Sequence, residues 1–238
     1  MEDKKEEIKE VELGALFYPT RDQTGREVPF DTLFVPHIYK EIYFEGVYID
    51  ILNGKKDMVI VDVGANIGVT VDHFKNYAKT VYAIEPSPEN FAALKKNKEF
   101  NNWDNVVLCN YALADKDGEM QFSQAPNNRT TNALLANGQP VGPGGWYQNS
   151  FAVPTKAIDT FFEENNIDEV DFMKFDPEGS EELILYSEGF KKVAPKIKAI
   201  ECEFHHGDWP NIVKFLQDLG YQARRYESSA IIVLFTRP

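Results

Sequence analysis

What the chain has little of narrows its class first. It holds 2 cysteines among 238 residues, Cys109 and Cys202, each inside an apolar run ("NVVLCNYAL", "IKAIECEF"). Two such thiols make no disulfide framework and read as free core groups in a reducing compartment. Long hydrophobic runs are scarce as well. The run near the C-terminus, "AIIVLF", is far too short to span a bilayer. The opening "MEDKKEEIKEVE" lacks the apolar stretch of a secretory leader. The expectation is a soluble, cytoplasmic protein with no membrane partner. Positive charge is in short supply: 25 Lys and Arg face 38 Asp and Glu, a formal net charge of −13. No Lys/Arg block offsets it, so phosphate backbones would be repelled and a nucleic-acid partner is not expected.

What is there suits one substantial domain with a well-filled core. Residues 1–55 read as a charged arm and an N-terminal helix, in which Ile38, Ile42 and Tyr43 recur at helical spacing. Residues 56–238 read as the main domain. "MVIVDVG" is a continuous apolar run stopped by glycine, as in a parallel strand buried on both faces. "VTVDHFKNYA" predicts a helix, "TVYAIEP" a second strand, and "SPENFAALKKNKEFN" a helix capped by Ser87 with Pro88 at its first position. "NVVLCNYAL" predicts a third strand. Beyond it come a turn and an extra strand in "DKDGEMQFS", an inserted loop or lid over 124–150, and a short extended piece and a helix in "FAVPTKAIDTFFEENN". "VDFMKFD" and "IKAIECEF" predict the fourth and fifth strands around a helix in "SEELILYSEGFKKV". "WPNIVKFLQDLG" predicts a helix ended by Gly220, and "YQARRYES" and "AIIVLFTR" a closing antiparallel pair. The fold class is α/β: a doubly wound, mostly parallel, seven-stranded Rossmann-like sheet with an antiparallel C-terminal strand.

In such sheets ligands lie beyond the carboxyl ends of the strands. There stands "DVGANIGV": Asp62 ends the first strand, and Gly64 and Gly68 flank a tight turn. Glu85 ends the second strand, 21 residues after Gly64, where a carboxylate can accept ribose hydroxyls. A dinucleotide fingerprint needs glycine where Asn66 stands, and Asp62 would repel a pyrophosphate. The acid instead suits a ligand with an ammonium and a sulfonium. S-adenosylmethionine has both, and a ribose.

These motifs resemble those of S-adenosylmethionine-dependent methyltransferases of the Rossmann-like class, and more narrowly the FkbM family. The resemblance is carried, in order, by "EIYFEGVY", "DVGANIG", "EPSPENFAALKKN", "NYALADKDGEMQF", "NALL", "VPTKAIDTF" and "DFMKFDPEGSEELIL". Pro177 departs from the family's usual Lys-x-Asp-Val-Glu-Gly. The resemblance implies an O-methyltransferase acting on a hydroxyl of a sugar or other small-molecule acceptor. It implies Glu85 on the ribose, Asp62, Gly64, Asn66 and Gly68 on the methionine part, and Asn110 and Ala112 near adenine. The alternative is a non-catalytic member that binds cofactor or partner alone.

A base for the acceptor hydroxyl must share the cofactor's sheet edge. Asp176 and Glu178 after the fourth strand qualify, as do Glu203 and His205 at the end of the fifth, with His206 a weaker candidate. Asp176 has two readings, cofactor ammonium or acceptor. Glu181 and Glu182 read as first-turn acids on a solvated helix face. Asp176, Glu178, Glu203 and His205 are metal-ligating types, yet their spacing is no metal fingerprint and no metal is expected. In the 124–150 insert, Arg129, Asn132, Trp146 and Tyr147 offer surface for an acceptor.

Overall fold

The computed structural model describes residues 17–21, 27–31, 42, 47–125, 128–136, 139–140, 149–204, 209–226 and 231–237. Its centre is a seven-stranded sheet of β3 (Met58–Val63), β4 (Ala78–Ile84), β5 (Val106–Cys109), β11 (Phe172–Phe175), β12 (Ala199–Phe204), β13 (Gln222–Arg225) and β14 (Ile231–Thr236). The order is β13-β14-β12-β11-β3-β4-β5. From β12 to β5 every pairing is parallel, while β14 runs antiparallel to both β12 and β13. This is the mostly parallel sheet with an antiparallel C-terminal strand that the sequence predicts. The apolar runs are continuous because both faces are covered. One face packs Phe161, Phe162, Phe175, Phe190 and Phe235, the other Tyr48, Phe74, Leu94, Trp103 and Phe172.

Helices α1 (Ile49–Leu52), α2 (Val69–Phe74), α3 (Pro88–Asn101), α4 (Ile158–Glu164), α5 (Glu181–Leu185), α6 (Glu188–Val193) and α7 (Trp209–Asp218) connect the strands, with a 3-10 turn at Ala194–Lys196. Ser87 caps α3 by accepting from the Asn90 backbone N–H, with Pro88 at the first position. Beyond α7, Gly220 takes the left-handed φ of 95° expected of a helix terminator.

Five segments differ from their sequence reading. The helix expected to run to Ala78 stops at Phe74, because β4 already begins at Ala78. "NVVLCNYAL" is two strands: β5 ends at Cys109, and β6 (Ala112–Ala114) belongs to another sheet. "SEELILYSEGFKKV" is two helices, since Ser187 accepts from the Phe190 N–H at 3.0 Å and starts α6 afresh. Much of the inserted loop is strand. β7 (Gly118–Ala125), β8 (Asn128–Ala136), β9 (Gln139–Pro140) and β10 (Asn149–Ala157) join β6 in a five-stranded sheet ordered β6-β10-β7-β8-β9. Ala112, Phe122 and Val153 form its core, and Leu183 of α5 packs against them. Within the segment read as arm and helix, β1 (Phe17–Arg21) and β2 (Glu27–Asp31) make an antiparallel hairpin. Ile42 is buried, while Ile38 and Tyr43 lie outside the described residues.

Candidate functional site

The turn after β3 is built from backbone in left-handed conformations. Gly64, Asn66 and Gly68 have φ of 80°, 51° and 98°. A side chain at Gly64 would overlap the carbonyl of Asp176, so the loop after β3 and the one after β11 touch through backbone alone. At Gly68 a Cβ would sit 2.7 Å from Leu94 Cδ1 and 3.0 Å from the Trp103 ring. Asparagine tolerates the intervening left-handed position. The Asn66 Oδ1 accepts from the Ile67 N–H at 2.8 Å, and its own N–H donates to Glu85 Oε2 at 2.9 Å. The other oxygen of Glu85 accepts from the Ser87 N–H at 2.8 Å. Glu85 thus fastens the first loop to the second. Burial pushes its pKa up to about 7, against the pull of the Ser87 and Asn66 N–H groups. The exposed Asn110 donates from Nδ2 to the Glu85 carbonyl at 2.9 Å. Ala112 lies buried on the second sheet.

Beside this loop runs a row of charge. Parallel register sets Asp62 of β3 against Lys174 of β11, and Lys174 against Glu201 of β12. Side chains alternate faces along a strand. These three follow Ile60, Phe172 and Ala199 onto the face of Tyr48 and Phe74. Lys174 Nζ lies 3.1 Å from Asp176 Oδ2, 3.6 Å from Asp62 Oδ1 and 3.5 Å from the Gly64 carbonyl oxygen. One ammonium therefore ties the glycine loop to the carboxylate after β11. Burial alone would lower its pKa; Asp176 and Asp62 outweigh that and hold it above the ordinary lysine value. Lys174 is a fixed cation, not a base. Asp62 is fully buried and takes a further hydrogen bond from the Thr70 hydroxyl. Burial raises its pKa, with Lys174 and Thr70 opposing. The buried Tyr48 also has a raised pKa, from burial first and then from Glu201, Asp62, Asp176 and Glu203.

At the end of β11 the chain turns through Glu178 (φ 53°) and Gly179 (φ 102°). A left-handed glutamate is an uncommon conformation and is held by what surrounds it. Asp176 and Glu178 are both partly exposed at this edge. Glu181 corrects the sequence reading: it is 2% exposed, not solvated, because its Oε1 accepts from the Gly179 N–H at 3.0 Å. Glu182 is exposed. His205 and His206 lie outside the described residues, as do Trp146, Tyr147 and the side chains of Arg129 and Asn132. Among the described residues no three His, Cys, Asp or Glu converge as a metal site, and no helix is long and apolar enough to cross a membrane. Lys174 and Glu201 escaped sequence reasoning. Their signal was a charge inside a strand otherwise buried on both faces.

Comparisons with known proteins follow the same ground. The model of the family described as "Methyltransferase FkbM domain" matches residues 62–223. The chain is 27% identical over 166 residues to a Hexuronic acid methyltransferase, AglP, of Haloferax volcanii, covering 69% of this chain and 63% of that protein. It is 24% identical over 160 residues to a 2-O-methyltransferase, NoeI, of Sinorhizobium fredii, covering 63% of this chain and 64% of that one. The chain therefore spans a little under two thirds of either relative. Among solved structures, Methyltransferase FkbM from Methylobacillus flagellatus superposes with a TM-score of 0.52 at 17% identity, over 83% of this chain and 47% of that one. SMU.1697c of Streptococcus mutans, in complex with SAH, gives a TM-score of 0.51 at 13% identity, over 81% and 96%. Both likenesses are of fold.

Proposed function

We propose that this chain, which belongs to the FkbM methyltransferase domain family, moves the methyl group of S-adenosylmethionine to a hydroxyl of a sugar or another small hydroxylated molecule. The observation that carries the reading is the glycine loop closed directly against Asp176, with Glu85 beneath it. The named relatives, a hexuronic acid methyltransferase and a 2-O-methyltransferase, support the acceptor class.

The residues fit the cofactor. Gly64 and Gly68 keep side chains out of the loop, so backbone N–H groups can approach a ligand closely. The Glu85 oxygens accept from two backbone N–H groups and from the Asn90 side chain, which leaves acceptor capacity on the carboxylate for a ribose hydroxyl. Asn110 stands exposed beside it, on the adenine side. Asp62 acts from below the loop, by holding Lys174 in place. The cofactor supplies a methyl group on a positively charged sulfur, which leaves as a neutral thioether when the acceptor oxygen takes the methyl.

The chain's part is to align that oxygen and remove its proton. Asp176 and Glu178 stand at the sheet edge next to the glycine loop, and one of them takes the proton. Lys174 holds Asp176 in place through an ion pair of 3.1 Å. Alignment can contribute up to about 7–11 kcal/mol to such a displacement. Glu203 lies on the neighbouring strand and adds negative charge to the acceptor side.

Calorimetric titration of the purified chain with S-adenosylmethionine is the test. Saturable binding, displaced by S-adenosylhomocysteine, is expected. A folded chain that binds neither ends the reading. Binding without transfer to any of a broad set of hydroxylated acceptors would leave a non-catalytic, cofactor-binding member.

A further inference from the structure

Glu201 has no task in the mechanism above, and its surroundings are unusual for a structural residue. It is 4% exposed, and its Oε2 is buried with no hydrogen-bond partner. Its register partner Lys174 turns away from it, toward Asp176 and Asp62. No ion pair reaches Glu201 among the described residues. A buried carboxyl oxygen left unsatisfied is costly, and a ligand hydroxyl that reached it would remove that cost.

Its place in the sheet says which ligand. The strand order is β12-β11-β3-β4-β5. The proposed cofactor contacts, Gly64, Glu85 and Asn110, follow β3, β4 and β5. Glu201 lies across β11 from them, on the side left to the acceptor. Glu203 is two residues further along the same strand and shares its face, as Asp176 does beyond Lys174. The phenol of Tyr48 feels Glu201 most strongly of the four carboxylates around it. Four acidic groups, Asp62, Asp176, Glu201 and Glu203, therefore lie around the Lys174 ammonium and the Tyr48 phenol, and Glu201 also acts on the phenol of Tyr226. No metal-ligating trio forms among the described residues to neutralise them.

We propose that Glu201 is a specificity-determining residue that hydrogen-bonds a second hydroxyl of the acceptor, and that the acceptor is an uncharged polyhydroxylated molecule, not a uronate. Sugar hydroxyls suit a buried carboxyl, because each of them both donates and accepts hydrogen bonds. An acceptor carboxylate would meet the carboxylates of Asp176 and Glu203, and Lys174, the cation that lies among them in the described residues, is already shared between Asp62 and Asp176. The inference rests on the O-methyltransferase reading and narrows its acceptor. Burial pushes the pKa of Glu201 up to about 8, against Lys174, so near neutral pH the group both donates and accepts.

The test loads the full chain with S-adenosylhomocysteine and compares methyl hexosides with the matching methyl hexuronides by saturation-transfer NMR. Neutral glycosides should bind at least about tenfold more tightly than uronides. Glu201→Ala should weaken neutral glycosides by about tenfold, the loss of one hydrogen bond, and Glu201→Gln, which keeps a donor and an acceptor, by less, while S-adenosylhomocysteine affinity by calorimetry stays within about twofold. That unchanged affinity also shows that both variants fold. Uronides binding as well as hexosides would overturn the proposal. So would sugar binding indifferent to both variants, a loss of cofactor affinity in Glu201→Gln, or no sugar binding by the loaded chain. Failure of S-adenosylhomocysteine itself to bind would instead remove the transferase reading on which this one stands.

Discussion

The two halves of the site's sheet edge are built on opposite principles. After β3 and β4, backbone does the work: left-handed residues arrange N–H groups, and the buried carboxylate of Glu85 is tied by two of them. Around β11 and β12, side chains do it: Lys174 is shared between Asp62 and Asp176, and Glu201 retains an unused oxygen. A backbone cradle is rigid, and any sequence that supplies the glycines can make it. A charged row is adjustable, and a single substitution changes what it recognises. The first half suits a cofactor that never changes, the second an acceptor that differs between family members.

Three experiments set the halves against each other. The largest effect should come from Glu178→Gln, which keeps the shape of the β11 turn and removes a candidate base. Turnover should fall by about 10²–10⁴-fold with S-adenosylmethionine affinity unchanged, read by steady-state kinetics beside calorimetry. Full activity would demote Glu178 to a turn residue and leave Asp176 as the base. Next is Lys174→Met, which removes the cation joining the halves. Leaving Asp62 buried without its partner should cost about 3–5 kcal/mol, a fall in Tm of about 6–20 °C for a chain of this size. Adding Asp62→Asn to Lys174→Met should recover part of the loss, and the double-mutant cycle measures the coupling.

The smallest effect concerns pH and belongs to the backbone half. The Glu85 pKa is about 7 in the free chain because of burial. Ribose hydroxyls donating to it would favour the carboxylate and lower that pKa on binding. S-adenosylmethionine affinity should therefore weaken as pH falls below about 7, by up to about tenfold per unit, and level off above it. Glu85→Gln should abolish the slope. The same raised pKa acts on folding with the opposite sense. It favours the protonated native state, so this group's contribution to stability is complete below its ordinary value of 4.5 and lost as pH rises toward 7. A slope in affinity that persists in Glu85→Gln would place the titrating group elsewhere, on the charged row.

The backbone half was the legible one. Continuous apolar runs stopped by glycine or proline marked β3 and β4, and "DVGANIG" carried its own turn chemistry in Gly64, Asn66 and Gly68. Asp176 and Glu178 could be nominated because they follow a strand at the ligand edge. The charged row was not legible, because its contacts come from register. Nothing in "DFMKFD" or "AIECEF" says that Lys174 and Glu201 are neighbours until β11 and β12 pair. Glu181 looked solvated because helix-start acids usually are; its partner, the Gly179 N–H, exists only once the turn is formed. The strands of the insert were hidden by their Asn, Gly and Pro content and by antiparallel partners many residues away.

The second sheet leaves and rejoins the chain's main course through two neighbouring strands. β6 and β10 lie side by side in parallel, Ala112 against Thr155 and Ala114 against Ala157. Residues 115–154 are thus an excursion that starts at one end of this parallel pair and returns at the other, about four residues or roughly 13 Å along it. An excursion of that kind can be lengthened, shortened or exchanged without disturbing the register of β3, β4, β11 or β12. It has the geometry of a cassette, folded as a sheet of its own apart from the strands that carry the glycine loop and the charged row.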